Sequence, residues 1–224
     1  MGEKVERKMK SVLITTRPQW VEKICHKIGE DETGKTIYEK RIEVRKSAPK
    51  EVPFKAYIYC TKPKKWFRFS SCGYASDECL WLSNGKIKMC DGFEFWANGK
   101  DYQCVNGKVI GEFICDKVER LEEHIEQGGL YYILSDTFNE QAQLDNWELH
   151  DYGKGKTLYG WHISDLKIYD KPRELSEFCI PCKVSCENCK NPLYFECWCE
   201  EKGKKIITRP PQSWCYVEDL GEEK

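Results

Sequence analysis

The stretch KRIEVRK, Lys40–Lys46, decides how the rest of the chain is read. Apolar and charged residues alternate through it. Ile42 and Val44 fall on one side, while Arg41, Glu43 and Arg45 fall on the other. A period of two predicts a half-buried strand with a charged, usable face. Working outward, SVLITT (Ser11–Thr16) is rich in β-branched residues and reads as a first strand. Arg17-Pro18 ends it, and Pro18 suits the first turn of a helix. That helix is predicted over Gln19–Ile28, with Trp20, Ile24 and Ile28 on one face. KAYIYC (Lys55–Cys60) and KVIGEFIC (Lys108–Cys115) are further strands. Val118–Glu126 continues as strand or short helix, and Thr137–Leu144 favours helix. LYGWHISDLKIY (Leu158–Tyr169) is the last strand, closed by Lys171-Pro172. Strands dominate and helices are few and separate, which predicts an α+β, barrel-like domain.

Between these strands, residues 70–107 read as an insertion. Asn84-Gly85, Asn98-Gly99 and Asn106-Gly107 are hairpin signals, each followed by lysine, at spacings too irregular for a repeat. The run PKKWFRF (Pro63–Phe69) mixes basic and aromatic residues and reads either as a nucleic-acid contact or as an amphipathic strand.

The 224 residues suit one domain with an appendage, and 40% apolar against 33% charged residues exclude a disordered chain. A net charge of −1 supplies no global field toward nucleic acid or anionic membrane, so nucleic-acid binding has to use a local patch. Residues 1–9 read as a charged leader without a secretory signal, and no apolar run is long enough to span a membrane. A cytoplasmic, reducing location is expected, where the 14 cysteines serve as thiols or metal ligands.

Seven of those cysteines fall from Cys179 onward, at Cys179, Cys182, Cys186, Cys189, Cys197, Cys199 and Cys215. One structural zinc is expected, held by Cys182, Cys186, Cys189 and Cys197, with Cys179 or Cys199 able to substitute. Two rivals remain. The spacing of Cys182, Cys186 and Cys189 also matches that of radical enzymes holding an iron–sulfur cluster, and the cysteines can serve simply as small apolar residues. Arg209-Pro210-Pro211 reads as an extended strap returning to the main domain, with Trp214 and Tyr216 docking.

Glu43 and Arg45 share a strand face at a separation of roughly 7 Å. A carboxylate beside an arginine stays ionised and accepts hydrogen bonds from an exocyclic amine, and arginine offers a planar fork. The alternative is a solvated face with routine ion pairs. Trp20 and Trp161 can stack on a base or fill the core, and His162 suits a structural role better than acid–base chemistry. No phosphate-binding loop, G-x-S-x-G elbow or H-E-x-x-H motif is present.

Taken in order, Ser11–Pro18, the short helix and KRIEVRK resemble the opening of the ASCH domain, whose hallmark is a lysine-containing turn leading into an E-x-R strand. VIGEF (Val109–Phe113) and YGWHISDLKIY (Tyr159–Tyr169) look like its remaining core strands, so the resemblance spans residues 10–172. RPPQSWCYVEDL (Arg209–Leu220) is similar to small ASCH-like proteins of bacteria and their phages. The resemblance implies a PUA-like, curved β-barrel with flanking short helices and a cleft, over residues 10–175; the cysteine spacing adds a small Cys-rich zinc-binding extension over residues 176–224. Relatives with this fold bind RNA or recognise modified bases. The implied function is therefore a module binding nucleic acid or a modified nucleoside. The candidate ligand-binding residues are Arg17, Trp20, Lys40, Glu43, Arg45 and Trp161. One branch of the family hydrolyses N4-acetylcytidine with a lysine, a threonine and a glutamate. The lysine would fall on Lys40, but the threonine position holds Glu43, and Glu140 is the nearest candidate for the glutamate. An N4-acetylcytidine amidohydrolase or ribonuclease using Lys40 and Glu43 is the catalytic alternative, and a protein-interaction module is the third class.

Overall fold

The computed structural model describes residues 9–62, 107–126, 129–132, 134–181 and 205–221. In chain order its elements are β1 (Lys10–Thr16), α1 (Pro18–Cys25), β2 (Lys27–Glu30), β3 (Thr36–Tyr38), β4 (Ile42–Arg45), β5 (Phe54–Cys60) and β6 (Lys108–Cys115). There follow β7 (Val118–Leu121), β8 (Glu123–Glu126), β9 (Gly129–Tyr132), α2 (Phe138–Ala142), α3 (Asn146–Gly153), β10 (Leu158–His162), β11 (Ser164–Glu174) and β12 (Trp214–Val217). Among the described residues no helix is long and apolar enough to cross a membrane.

The main sheet has the order β11-β6-β5-β1-β12. Strands β1 and β5 run parallel, with α1 in the crossover between them, and the other pairs are antiparallel. All seven residues of β5 are buried, because the sheet is covered on both faces. On one face Val12, Ile14, Phe54, Ala56 and Ile58 pack with Val21 and Ile24 of α1 and with Trp161. On the other, Leu13, Tyr57, Tyr59 and Val109 meet Phe178, Ile207 and Val217. The strict alternation of these two sets is the strand period made visible.

A second sheet, β4-β10-β7, backs onto the helices. Ile42, Val44, Leu121 and Leu158 pack against Phe138 and Ala142 of α2 and Leu149 of α3. Gly160 permits this approach, since a Cβ there would lie 2.7 Å from the Phe138 ring. β2-β3 and β8-β9 are separate two-stranded pairs.

The expected closed, curved barrel does not form. Closure needs edge strands to pair, whereas β11 and β12 stand at opposite edges of an open sheet with β6, β5 and β1 between them. The single last strand expected over Leu158–Tyr169 divides at Ile163: β10 joins β4 and β7, and β11 joins β6. β11 also runs past Lys171-Pro172 to Glu174. Pro172 lacks a donor but lies on an edge strand, within a register shift between Ile168 and Arg173, where no ladder bond is needed. The helix expected to reach Ile28 stops at Cys25, and Ile28 lies exposed in β2.

The zinc-binding extension is likewise corrected as a part of the fold. Among the described residues no group of three or more His, Cys, Asp or Glu side chains could hold a metal, and Cys179 and Cys215 are thiols. The described part of the tail is built into the main domain: Ile207 enters the core, and the expected strap at Arg209-Pro210-Pro211 leads into β12, paired antiparallel with β1. Cys182, Cys186, Cys189, Cys197 and Cys199 lie outside the described residues, as do Pro63–Phe69 and the hairpin signals up to Asn106.

Candidate functional site: a buried charge cluster at the end of β1

The charged face of β4 turns inward. All four residues of the strand are buried, because Ile42 and Val44 meet the helices while Glu43 and Arg45 face the gap between the two sheets. Glu43 sits opposite Trp161 in the ladder and Arg45 opposite Tyr159. Lys40, Glu43 and Arg45 are only 2%, 6% and 6% exposed, so their charges have to be answered by protein.

Most of them are. Arg45 Nη2 forms an ion pair with Glu43 Oε1 at 2.8 Å and donates to Thr16 Oγ1 at 3.0 Å. Its Nη1 donates to the Thr15 carbonyl at 2.9 Å and reaches the Ser213 carbonyl at 3.5 Å. The fork that the sequence offers to a ligand is therefore spent on joining β4, the end of β1 and the strap. Arg45 is a positioning residue. Lys40 Nζ lies 3.6 Å from Glu43 Oε2 and donates to the carbonyl of Ala142, the last residue of α2. A cation there meets the negative end of the helix. The Lys40 backbone N–H bonds the Lys23 carbonyl and that of Arg41 bonds the Gln141 carbonyl, which fastens the start of β4 to α1 and α2 together.

Burial pulls the Lys40 ammonium down, with Arg45 and Lys23 adding to the effect and Glu43 opposing it, to about 8. Two cations thus share one carboxylate in a desolvated space. Glu43 Oε2 and Arg45 Nε are both buried without a hydrogen-bond partner among the described residues.

Two aromatic rings front this cluster. Trp20 of α1 is partly exposed, with Lys40 Nζ 5.0 Å and Lys23 Nζ 5.4 Å from its ring centre. Tyr152 of α3 is 38% exposed, and Lys46 Nζ lies 4.9 Å from its ring centre. Burial raises the Tyr152 hydroxyl, and the charges of Arg45, Glu43 and Arg17 all act on it. Arg17 itself is exposed at the N-cap of α1.

Five of the six expected ligand-binding residues, Arg17, Trp20, Lys40, Glu43 and Arg45, therefore share one neighbourhood. Trp161 does not belong to its surface. It is fully buried, edge-on to Phe54 at 5.0 Å and to Trp214 at 5.8 Å. Glu140 is 70% exposed and pairs with Arg41 at 3.2 Å rather than joining Lys40. His162 holds Glu119 at 2.8 Å, a structural contact. Sequence reasoning missed Tyr152 because it missed α3. The signal was available in DNWE: Asp145 accepts from the Glu148 N–H at 2.7 Å and Glu148 from the Asp145 N–H at 3.0 Å, a capping box that starts the helix.

A cavity of about 700 Å³ lined by Met9, Lys10, Ser11, Pro181, Tyr216 and Asp219 lies elsewhere, at the start of β1. The length of that strand, roughly 20 Å, separates it from the cluster.

No protein-family model matches the sequence, and no curated protein matches it. Solved structures do. The chain is similar to the ASCH protein from Zymomonas mobilis, at 14% identity and a TM-score of 0.46, over 94% of this chain and 90% of that one. Two single-residue variants of that protein match at 13% identity and a TM-score of 0.44, over 93% of this chain and 91% and 89% of theirs. What the chain binds has to be read from its own residues.

Proposed function

We propose that the protein binds a base, within a nucleic acid or as a modified nucleoside, against Trp20, with Glu43 as the group that reads it. The observation that carries this is the buried Glu43 carboxylate, whose Oε2 has no hydrogen-bond partner among the described residues and only the Lys40 ammonium at 3.6 Å, in a cluster that also holds the partly exposed Trp20. A flat ring laid on Trp20 gains stacking energy of about 1–3 kcal/mol. A carboxylate held by Arg45 accepts from an exocyclic amine and rejects a carbonyl at the same place, which is selection by donor pattern. Lys40 and Arg45 hold Glu43 in position.

Titration of the purified protein with single-stranded RNA and DNA oligonucleotides and a panel of modified nucleosides tests this by calorimetry. Trp20→Ala is expected to weaken binding by about 1–3 kcal/mol with the fold retained. Absence of binding to every member of the panel by the intact protein sinks the proposal and favours a protein-interaction module.

A hydrolytic reading has one observation in its favour, the Lys40 amine lowered to about 8. Against it stand the 2% exposure of Lys40, its bond to the Ala142 carbonyl and the engagement of Glu140 by Arg41. Release of cytidine from N4-acetylcytidine, abolished in Lys40→Ala, would overturn the preference for binding without chemistry.

A further inference from the structure

The start of β1, at the far end of that strand from the residues Arg45 grips, carries a second polar centre. Ser11 and Leu13 point to one side of the main sheet, and Leu13 belongs to the core that holds Tyr57 and Val217. On that side Ser11 stands between Lys55 of β5 and Val217 of β12. It is 4% exposed, and its Oγ is buried with no hydrogen-bond partner among the described residues. A serine hydroxyl has a donor and two lone pairs to offer, and buried ones are ordinarily bonded.

Ser11 and Asp219, just beyond β12, line the same cavity of about 700 Å³. Asp219 Oδ1 accepts from the Tyr57 hydroxyl at 2.6 Å, from Lys55 Nζ at 3.0 Å and from the Gly221 N–H at 3.4 Å, which fixes the carboxylate. Its Oδ2 takes no hydrogen bond from the described residues. Burial pushes the Asp219 carboxyl up, but the bonds from Tyr57 and Lys55 outweigh it and hold the group below the usual carboxylate range, so it is ionised at neutral pH. Lys55 does not answer this charge alone, since it also faces Glu112 at 3.8 Å. Of the other charged residues lining the cavity, Glu218 is acidic and Lys10 is paired with Glu51 at 3.1 Å. Two ammoniums, Lys10 and Lys55, thus stand against the carboxylates of Glu51, Glu112, Glu218 and Asp219. Met9, Pro181, Val217 and the partly buried ring of Tyr216 supply the apolar wall.

We infer that this cavity is a second binding site, for a small organic ammonium, a protonated amine on an apolar body. Asp219 Oδ2 and Ser11 Oγ accept from the ammonium, and the apolar body lies along Tyr216, Val217 and Met9. The volume suits a small ligand, and the excess of carboxylates favours a cation over an anion. Lys55 and Tyr57 are positioning residues: they orient Asp219 through one oxygen and leave the other for the ligand. The site does not depend on the base-binding reading, because the length of β1, roughly 20 Å, separates the two.

The test titrates the full chain with 2-phenylethylamine and with its uncharged isostere 2-phenylethanol, followed by calorimetry and by backbone amide NMR shifts. The amine is expected to bind roughly tenfold or more tightly than the alcohol, as for charge-assisted hydrogen bonds. It should move the amide signals of Ser11, Val217 and Asp219 and leave those of Lys40 and Glu43 in place. Asp219→Asn is expected to erase the preference for the amine. Because Asp219 also anchors Lys55 and Tyr57, Ser11→Ala is the cleaner variant. It removes an unbonded hydroxyl, so the melting temperature stays at or above that of wild type while amine affinity falls about two- to tenfold. A lysine-containing hexapeptide separates the sources of an ammonium: tighter binding of the peptide than of the free amine at the same residues would overturn the small-molecule assignment. Equal binding of amine and alcohol would reduce the site to an apolar cavity and overturn the inference. So would unmoved signals at Ser11, Val217 and Asp219 in millimolar amine, or a Ser11→Ala protein with wild-type amine affinity.

Discussion

Replacing Arg45 by alanine is the perturbation on which the structure is most explicit. The sequence alone suggests a ligand-facing arginine whose loss weakens binding and spares the fold. The structure makes it a keystone. Arg45→Ala removes the 2.8 Å ion pair to Glu43 and leaves that carboxylate 6% exposed with Lys40 as its remaining cation, at 3.6 Å. It also strips the donors from the Thr15 carbonyl and Thr16 Oγ1. Breaking a buried pair from one side costs about 3–5 kcal/mol. For a domain of this size each kcal/mol shifts the melting temperature by about 2–4 °C, so a loss of about 6–20 °C follows. Circular dichroism melts of wild type, Arg45→Ala, Arg45→Lys and Arg17→Ala measure it. Lysine keeps the charge without the fork and falls between the extremes, and Arg17→Ala stays within about 0.5 kcal/mol as an exposed site. An Arg45→Ala protein that melts within about 2 °C of wild type would refute the buried ion pair and return Arg45 to solvent or ligand.

Four further outcomes follow. Lys40 has its folded value lowered to about 8 from 10.5, so the folded state gives up its proton first. The penalty is complete below pH 8 and is relieved as pH rises from 8 to 10.5. Relative to Lys40→Met, the wild type should gain stability across that window in urea titrations. Glu22 is raised from 4.5 to about 7, burial first and Glu39 second, so its effect has the opposite slope, with stability falling between pH 4.5 and 7. Glu22→Gln should raise the melting temperature at pH 8 and change it little at pH 4. Gly160→Ala drives a methyl to 2.7 Å from the Phe138 ring and should cost about 1–3 kcal/mol, loosening α2 and with it the Ala142 carbonyl that holds Lys40. Truncation before Arg209 removes β12 and the Asp219 carboxylate that takes bonds from Tyr57 at 2.6 Å and Lys55 at 3.0 Å. The bare edge of β1 should then make the protein self-associate on gel filtration.

Some of this protein is legible from the chain alone. The alternation in Lys40–Lys46 sets β4, and the period of two puts Glu43 and Arg45 on one face whatever surrounds them. The β-branched and apolar runs locate β1, β5 and β6, and Arg17-Pro18 marks the start of α1. Arg209-Pro210-Pro211 announces an extended return, which leads into β12. These are local properties, written in residue types a few positions apart.

What only the tertiary structure decided is which side of each element faces protein. Strand period cannot tell a charged face in water from one turned inward, and β4 is buried on both sides because helices α2 and α3 cover its apolar face while the main sheet covers the other. That turned a usable guanidinium into a structural clamp. Trp20 and Trp161 are alike in sequence, but Trp20 on α1 is left partly exposed, whereas Trp161 on β10 is enclosed against Phe54 of the main sheet. Tyr152 and Ala142 reach the cluster from helices about a hundred residues downstream of Lys40, a proximity no local pattern encodes. Closure of the barrel depended on whether the edge strands β11 and β12 could meet, and they stand at opposite edges of the main sheet. Such choices turn on long-range burial, which is cooperative over the whole core and is written in no single segment.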